Sequence, residues 1–261
     1  MSRLKTFGLI LIPGAALLLS GCTSAKSETP AATPQKTHAA EPAKTAPVTS
    51  KTLTAEPAAR GSAKVVTAAR GPIIDGTFAD PAWNRAVVLE LGTATDKTPG
   101  NCKTTARLLF DNTHVYIGID CAEPETDKLK MEEKNRDGDV FEDDDVEIFL
   151  SPDPAAGYKQ FVVNALGTVM DRSVTPDLTG DVSWNAGVQV KTSIEKGKRW
   201  IATLAIPLAD LGAKPGENLT WRANFARTRQ VSAEDYSWSI LPDAHFNNPD
   251  KFGTLTGIVI R

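Results

Sequence analysis

The chain has 261 residues, 41% of them hydrophobic and 23% charged, which is enough for one domain with a sizeable core. A formal net charge of −3 at pH 7, with no basic patch, excludes nucleic acid as an expected partner. The three His lie beside no Ser or Cys at a nucleophile's spacing, and no GxSxG, P-loop or HExxH occurs, so no enzyme is expected.

In chain order, the first element is "MSRLKTFGLILIPGAALLLSGC". It has a basic start at Arg3 and Lys5 and an apolar core over residues 7–19. That core is shorter than the ~20 residues a membrane span needs, and residues 1–21 read as a signal peptide. Leu19-Ser20-Gly21-Cys22 resembles a bacterial lipobox, in which Cys22 carries the lipid and becomes the mature N-terminus. Thr23 rather than Asp follows the cysteine, which by resemblance to envelope lipoproteins directs the anchor to the outer membrane, facing periplasm or exterior. Residues 22–62 are then a disordered tether. Residues 23–62 hold 10 Ala, 8 Thr and 5 Pro and no aromatic, too little apolar surface to offset the entropy of ordering. His38 lies in the tether and carries no chemistry.

Residues 63–261 form the folded domain. From Thr104 the apolar residues alternate: Ala106, Leu108 and Phe110, then a turn at Asp111-Asn112-Thr113-His114, then Val115, Ile117 and Ile119. This pattern predicts a β-hairpin. Folding it about Asn112 sets Cys121 nearly opposite Cys102, and in an oxidising periplasm the pair predicts a disulfide. Further alternating runs cover 146–150, 158–164, 187–193, 200–206, 220–228 and 253–260, separated by Gly, Pro and Asp clusters. Only 80–86 and 207–212 look helical. Many short strands and almost no helix predict an all-β fold, an antiparallel, jelly-roll-like β-sandwich.

Alternation also assigns faces. Val146, Ile148 and Leu150, Phe161 and Val163, and Trp221, Ala223 and Phe225 point to the core. Glu147, Gln160, Asn164, Arg222 and Asn224 are left on the opposite face, a polar floor if the strands are neighbours. Such a floor suits a hydroxyl-rich ligand, which needs convergent acceptors, amide or guanidinium donors and an aromatic ring over its C–H face. Phe141 and Phe246 sit in loops flanking this floor. The acidic run Glu142, Asp143, Asp144 and Asp145 enters the strand beside it, either as a solvated loop or as the lip of a ligand site.

"PIIDGTFADPAWNRA", "ARLLFDNTHVYIGID", "DDDVEIFLSPDP", "YKQFVVNALG", "WIATLAIPLADL", "WRANFAR" and "YSWSILPDAHFNNPDKFGTL" occur in this order across residues 70–261. Together they resemble the family 9 carbohydrate-binding modules, β-sandwiches that bind glucose, cellobiose and related sugars at chain ends. The resemblance implies non-catalytic binding of mono- or oligosaccharide ends, with glycoside hydrolases as partners. The family's two tryptophan platforms fall on Phe141 and Phe246, its strand carboxylate on Glu147, its glutamine on Gln160 and an asparagine on Asp243. Its arginine falls on Val162, so a donor is lost unless Arg222 replaces it. No cofactor is required. The family does bind structural calcium, and Asp143, Asp144 and Asp145, with Asp137 and Asp139 nearby, are hard oxygen ligands of that kind, against a solvated loop. Two rivals remain. A haem-binding electron-transfer sandwich would draw axial ligands from Met131, Met170, His114 and His245. An envelope scaffold would bind protein instead.

Overall fold

The computed structural model describes residues 60–261 apart from Ala244, so the expected signal peptide, Cys22 and its lipid, His38 and the tether up to residue 59 lie outside the described residues. The chain forms β1 (Ser62–Lys64), β2 (Val87–Thr93), β3 (Thr104–Phe110), β4 (His114–Ala122), β5 (Asp145–Ser151), β6 (Tyr158–Asn164), β7 (Val169–Val174), β8 (Gly180–Asp181), β9 (Gln189–Glu195), β10 (Arg199–Pro207), β11 (Gly216–Arg229), β12 (Glu234–Ser237) and β13 (Gly253–Ile260). One sheet runs β8-β7-β6-β5-β11, and the far edge of the long β11 is shared between β13 and β12. The other runs β2-β3-β4-β10-β9. A short β12–β2 pairing, Tyr236 with Thr93 and Ser237 with Gly92, joins them. Strand pairing is antiparallel apart from β1 on β13. The expected β-sandwich is the fold.

The period of two builds the core. Val146, Ile148, Leu150, Phe161, Val163, Ala223 and Phe225 of the first sheet are fully buried together with Leu108, Ile117, Ile119, Trp200, Ala202 and Leu204 of the second. Across the gap Trp221 meets Phe110 edge-on, with ring centroids 5.2 Å apart. Fully burying one such side chain stabilises by about 1.5–3 kcal/mol. The outer faces are not bare either. Residues 68–86 fold back over Leu109, Tyr116 and Ala205 of the second sheet, placing Trp83 and Phe78 on them. Within that segment Pro81–Arg85 forms one 3-10 turn, with Pro81 at its start and Asp80 accepting the Ala82 amide at 2.8 Å.

One end of the sandwich is closed by charge rather than by hydrocarbon. Glu123, just past β4, accepts from Arg227 at 3.2 Å and from Arg229 at 2.6 and 2.9 Å, and Glu123 and Arg227 are fully buried. Arg227 also donates to the Thr104 hydroxyl and the Ala122 carbonyl.

Three expectations change. The hairpin turns between Asn112 and Thr113, not about Asn112, so Cys121 stands opposite Thr104. Cys102 lies in the bend before β3, outside the ladder. Both thiols are free and buried, and burial pushes the Cys121 thiol up to about 12. Residues 208–212 form turns rather than a helix. Finally β1, β2, β7, β8 and β12 join the predicted strands. In β7 the inward position is Asp171, fully buried and held by Arg136 at 2.7 and 2.8 Å and by the Ala186 amide at 2.9 Å. A charged residue at an inward position hides the period of two.

Candidate functional site

β5 lies between β6 and β11, so the residues expected on the polar floor do share one outer face. Most of that face is covered. Phe149, Tyr158, Val174, Ala226 and Phe252 form an apolar cluster on it, with Phe246 packed against them. One part that stays open is a cleft of about 570 Å³ between the loop over residues 243–250 and the turn after β7. Glu147, Asp243, His245, Phe246 and Asn247 line it, with Pro176 and Leu178 on the other side. Leu178 is 54% exposed and adopts a left-handed backbone at φ 67°.

Beneath the cleft runs a chain of hydrogen bonds. Gln160 Nε2 donates to Glu147 Oε2 at 2.6 Å, Arg172 Nε donates to Gln160 Oε1 at 2.6 Å, and Arg172 Nη2 donates to Asn247 Oδ1 at 3.0 Å. Tyr158 donates to the same Asn247 oxygen at 3.3 Å. The sheet register produces this chain, because Gln160 faces Arg172 across β6 and β7. Burial pushes the Glu147 carboxyl up to about 7, against the opposing pull of Gln160 and Arg172. It can therefore act as acceptor or donor near neutral pH.

Not every expected ligand residue belongs here. Asn164 is fully buried: its amide donates to the Glu133 carbonyl and to Asp143, both at 2.9 Å, and its oxygen accepts the Leu166 and Thr168 amides. Asn224 is equally buried, held by Ser237 and the Ser239 amide. Both serve the fold, because their polar atoms are already spent. Arg222 donates to Thr254 and to the Phe252 carbonyl and lines a neighbouring cleft. Arg172, which sequence reasoning missed, supplies the guanidinium beside Gln160 instead. Phe141 is 45% exposed on the 3-10 turn Val140–Glu142 and does not line the Glu147 cleft. Asp243 does, where its carboxylate accepts from Asn248 at 3.3 Å.

Two carboxylates of the acidic run are spent on backbone donors. Asp143 accepts the Glu132 and Glu133 amides at 2.9–3.1 Å, and Asp144 accepts the Lys130 and Gln230 amides at 2.8 and 3.1 Å. These carboxylates pin the segment over residues 130–133 to β5, and their oxygens face N–H donors rather than a cation. Asp145 is fully buried with both oxygens unpartnered, and burial, with the charges of Glu147 and Asp144, pushes its carboxyl well above the usual range. Among the described residues no group of three His, Cys, Asp or Glu is placed to hold a metal. The haem ligands do not converge either. His114 sits at the β3–β4 turn of the second sheet beside Thr113, Met170 is buried with Val140 and Val162 on the first sheet, and His245 stands in the cleft loop.

A protein-family profile described as "Carbohydrate family 9 binding domain-like" matches residues 74–258. The chain belongs to that family. Among curated proteins none matches by sequence. Of solved structures, a candidate carbohydrate-binding protein from Bacteroides uniformis is 18% identical, with a TM-score of 0.63 over 76% of this chain and 99% of that one. A family 9 carbohydrate-binding module from Caldicellulosiruptor kristjanssonii, in complex with cellotriose, is also 18% identical, with a TM-score of 0.56 over 76% of this chain and 95% of that one. The module from the same organism in complex with glucose gives 18% identity and a TM-score of 0.54, over 74% and 95%. At this identity the likeness is one of fold.

Proposed function

We propose that this chain binds the end of a neutral saccharide without acting on it, in the cleft between Glu147 and Phe246. Membership of a carbohydrate-binding family supports the class of ligand, and similarity to modules that hold cellotriose and glucose supports β-linked glucose as the first sugar to try. The observation that carries the reading is the Glu147–Gln160–Arg172–Asn247 chain beneath a half-buried aromatic ring. Hydroxyls need acceptors and donors in fixed places, and a ring covers the C–H face of a sugar. The proposal extends to display from the bacterial envelope by lipid on Cys22, where binding would hold polysaccharide near partner glycoside hydrolases.

Calorimetry of the full chain with glucose and cellotriose tests the site. Phe246→Ala should weaken binding by ~1–3 kcal/mol, the range for losing an aromatic contact. Full affinity in that variant would move the platform elsewhere.

A further inference from the structure

The outer face of the second sheet holds a charge that the fold leaves unanswered. Residues 68–86 cover only part of that face, and beyond Phe78 a cleft of about 470 Å³ remains. Phe78, Arg107, Asp120, Glu195 and Arg199 line it. Four neighbouring strands supply the charges: Arg107 from β3, Asp120 from β4, Arg199 from β10 and Glu195 from β9. The register sets Arg199 directly opposite Glu195 and places Asp120 opposite Ile201, two residues on from Arg199.

These charges do not all find partners. Arg199 bridges both carboxylates, Asp120 at 3.1 Å and Glu195 at 3.0 Å. Arg107 has no ion pair among the described residues, and its Nε is buried without a hydrogen-bond partner. One face of its guanidinium is covered by the Phe78 ring, with Cζ 4.7 Å from the centroid. Gly118, next to Arg107 across β3 and β4, makes room for that ring, since a Cβ there would stand 2.3 Å from a Phe78 ring carbon. The ring and the glycine therefore fix the guanidinium at the cleft with its anion-binding edge unspent.

We propose that this cleft is a second binding site, taking a saccharide unit that carries a carboxylate, a uronic acid. Arg107 binds the carboxylate, in the fork geometry a guanidinium offers to that group. Asp120 and Glu195 accept hydroxyls of the same sugar. With Arg199 paired to both, the four charges of the cleft sum to zero, so it favours a sugar unit with one negative charge and many hydroxyls over a compact dianion such as sulfate or phosphate. The site lies on the opposite sheet from Glu147 and does not depend on the neutral-sugar reading above.

The test is calorimetry of the full chain with trigalacturonic acid, its methyl ester, and sodium sulfate as competitor, at low ionic strength. The acid should bind, and the ester, which keeps size and hydroxyls but lacks charge, should bind at least tenfold more weakly. Arg107→Gln should lose at least tenfold toward the acid, Arg107→Lys should lose less, and Phe246→Ala should leave acid binding unchanged. Equal affinity for acid and ester, or unchanged affinity in a folded Arg107→Gln variant, overturns the site, as does displacement by sulfate at matched concentration. Should Arg107→Gln fail to fold, the ester comparison and Arg107→Lys still decide. Loss of acid binding in Phe246→Ala would place the acid in the first cleft and overturn the proposal as well.

Discussion

Glu147 occupies the position where fold and ligand compete for one side chain. It lies on β5 with its carboxyl buried against Gln160, yet lines the open cleft. Burial raises its pKa from 4.5 to about 7, so folding favours the protonated form. The resulting stability is fully present below pH 4.5 and is lost as pH rises through about 7. Each tenfold change in proton affinity is worth about 1.4 kcal/mol, so the loss approaches about 3 kcal/mol. Glu147→Gln keeps the shape and removes the titration. Urea unfolding at pH 5 and pH 8 should show the wild type losing stability that the variant retains. Parallel pH profiles for the two would contradict the assignment. Asp145, two residues earlier on the same face, is buried beside Glu147 and Asp144, and burial together with those charges pushes its carboxyl well above the usual range. The acidic run thus divides three ways: Asp143 and Asp144 hold backbone, Asp145 is buried within the sheet, and the exposed Glu142 meets solvent.

At the scale of elements, long-range ties carry what short strands cannot. β12 has four residues and pairs with β2 through only two of them, so that seam alone does not hold the sheets together. The buried Glu123–Arg227–Arg229 cluster adds a second tie between the end of β4 and β11. Removing one partner of a buried pair strands the remaining charge, which costs about 3–5 kcal/mol. Glu123→Gln should therefore destabilise the domain by about that amount in urea unfolding, without changing sugar binding at the Glu147 cleft. A loss under about 1 kcal/mol would mean that water reaches the cluster. The cleft loop depends on a different anchor. Asn247 accepts from Tyr158 and Arg172, which fastens the loop carrying Phe246 to β6 and β7.

For the whole molecule, a lipid anchor and tether of the kind proposed would decide what the domain can reach. A lipid on Cys22 followed by some 40 residues poor in apolar surface would leave the domain free to search near the membrane. Cys22→Ser should then shift the chain from the detergent phase to the aqueous phase in detergent partitioning. Unchanged partitioning would remove the anchor. The two clefts lie on opposite sheets, so a single domain could engage two sugars of a branched or acidic polysaccharide at once, and avidity would exceed either affinity.

Much of this fold was legible in the chain itself, because the period of two is a local property. Val146, Ile148, Leu150, Phe161, Val163, Trp221, Ala223 and Phe225 announce their inward face without reference to any partner strand. β7 escaped because a buried Asp171 sits where an apolar residue would be, and its ion pair with Arg136 is made 35 residues away in sequence. The candidate site was half legible for the same reason. Alternation put Glu147 and Gln160 on one face, the loop aromatics supplied Phe246 and the resemblance added Asp243, but Arg172 enters only through the β6–β7 register. Alternation likewise could not show that Asn164 and Asn224 spend their hydrogen bonds internally, or that Phe141 stands away from the cleft. A one-residue difference in the hairpin register moved the partner of Cys121 from Lys103 to Thr104, one step further from Cys102, which no composition or spacing distinguishes. The sequence by itself determined eight of the strands, the inward faces of their apolar residues and the resemblance to the family. Only the tertiary structure decided which polar groups are already satisfied, because that depends on donors and acceptors brought together from distant strands.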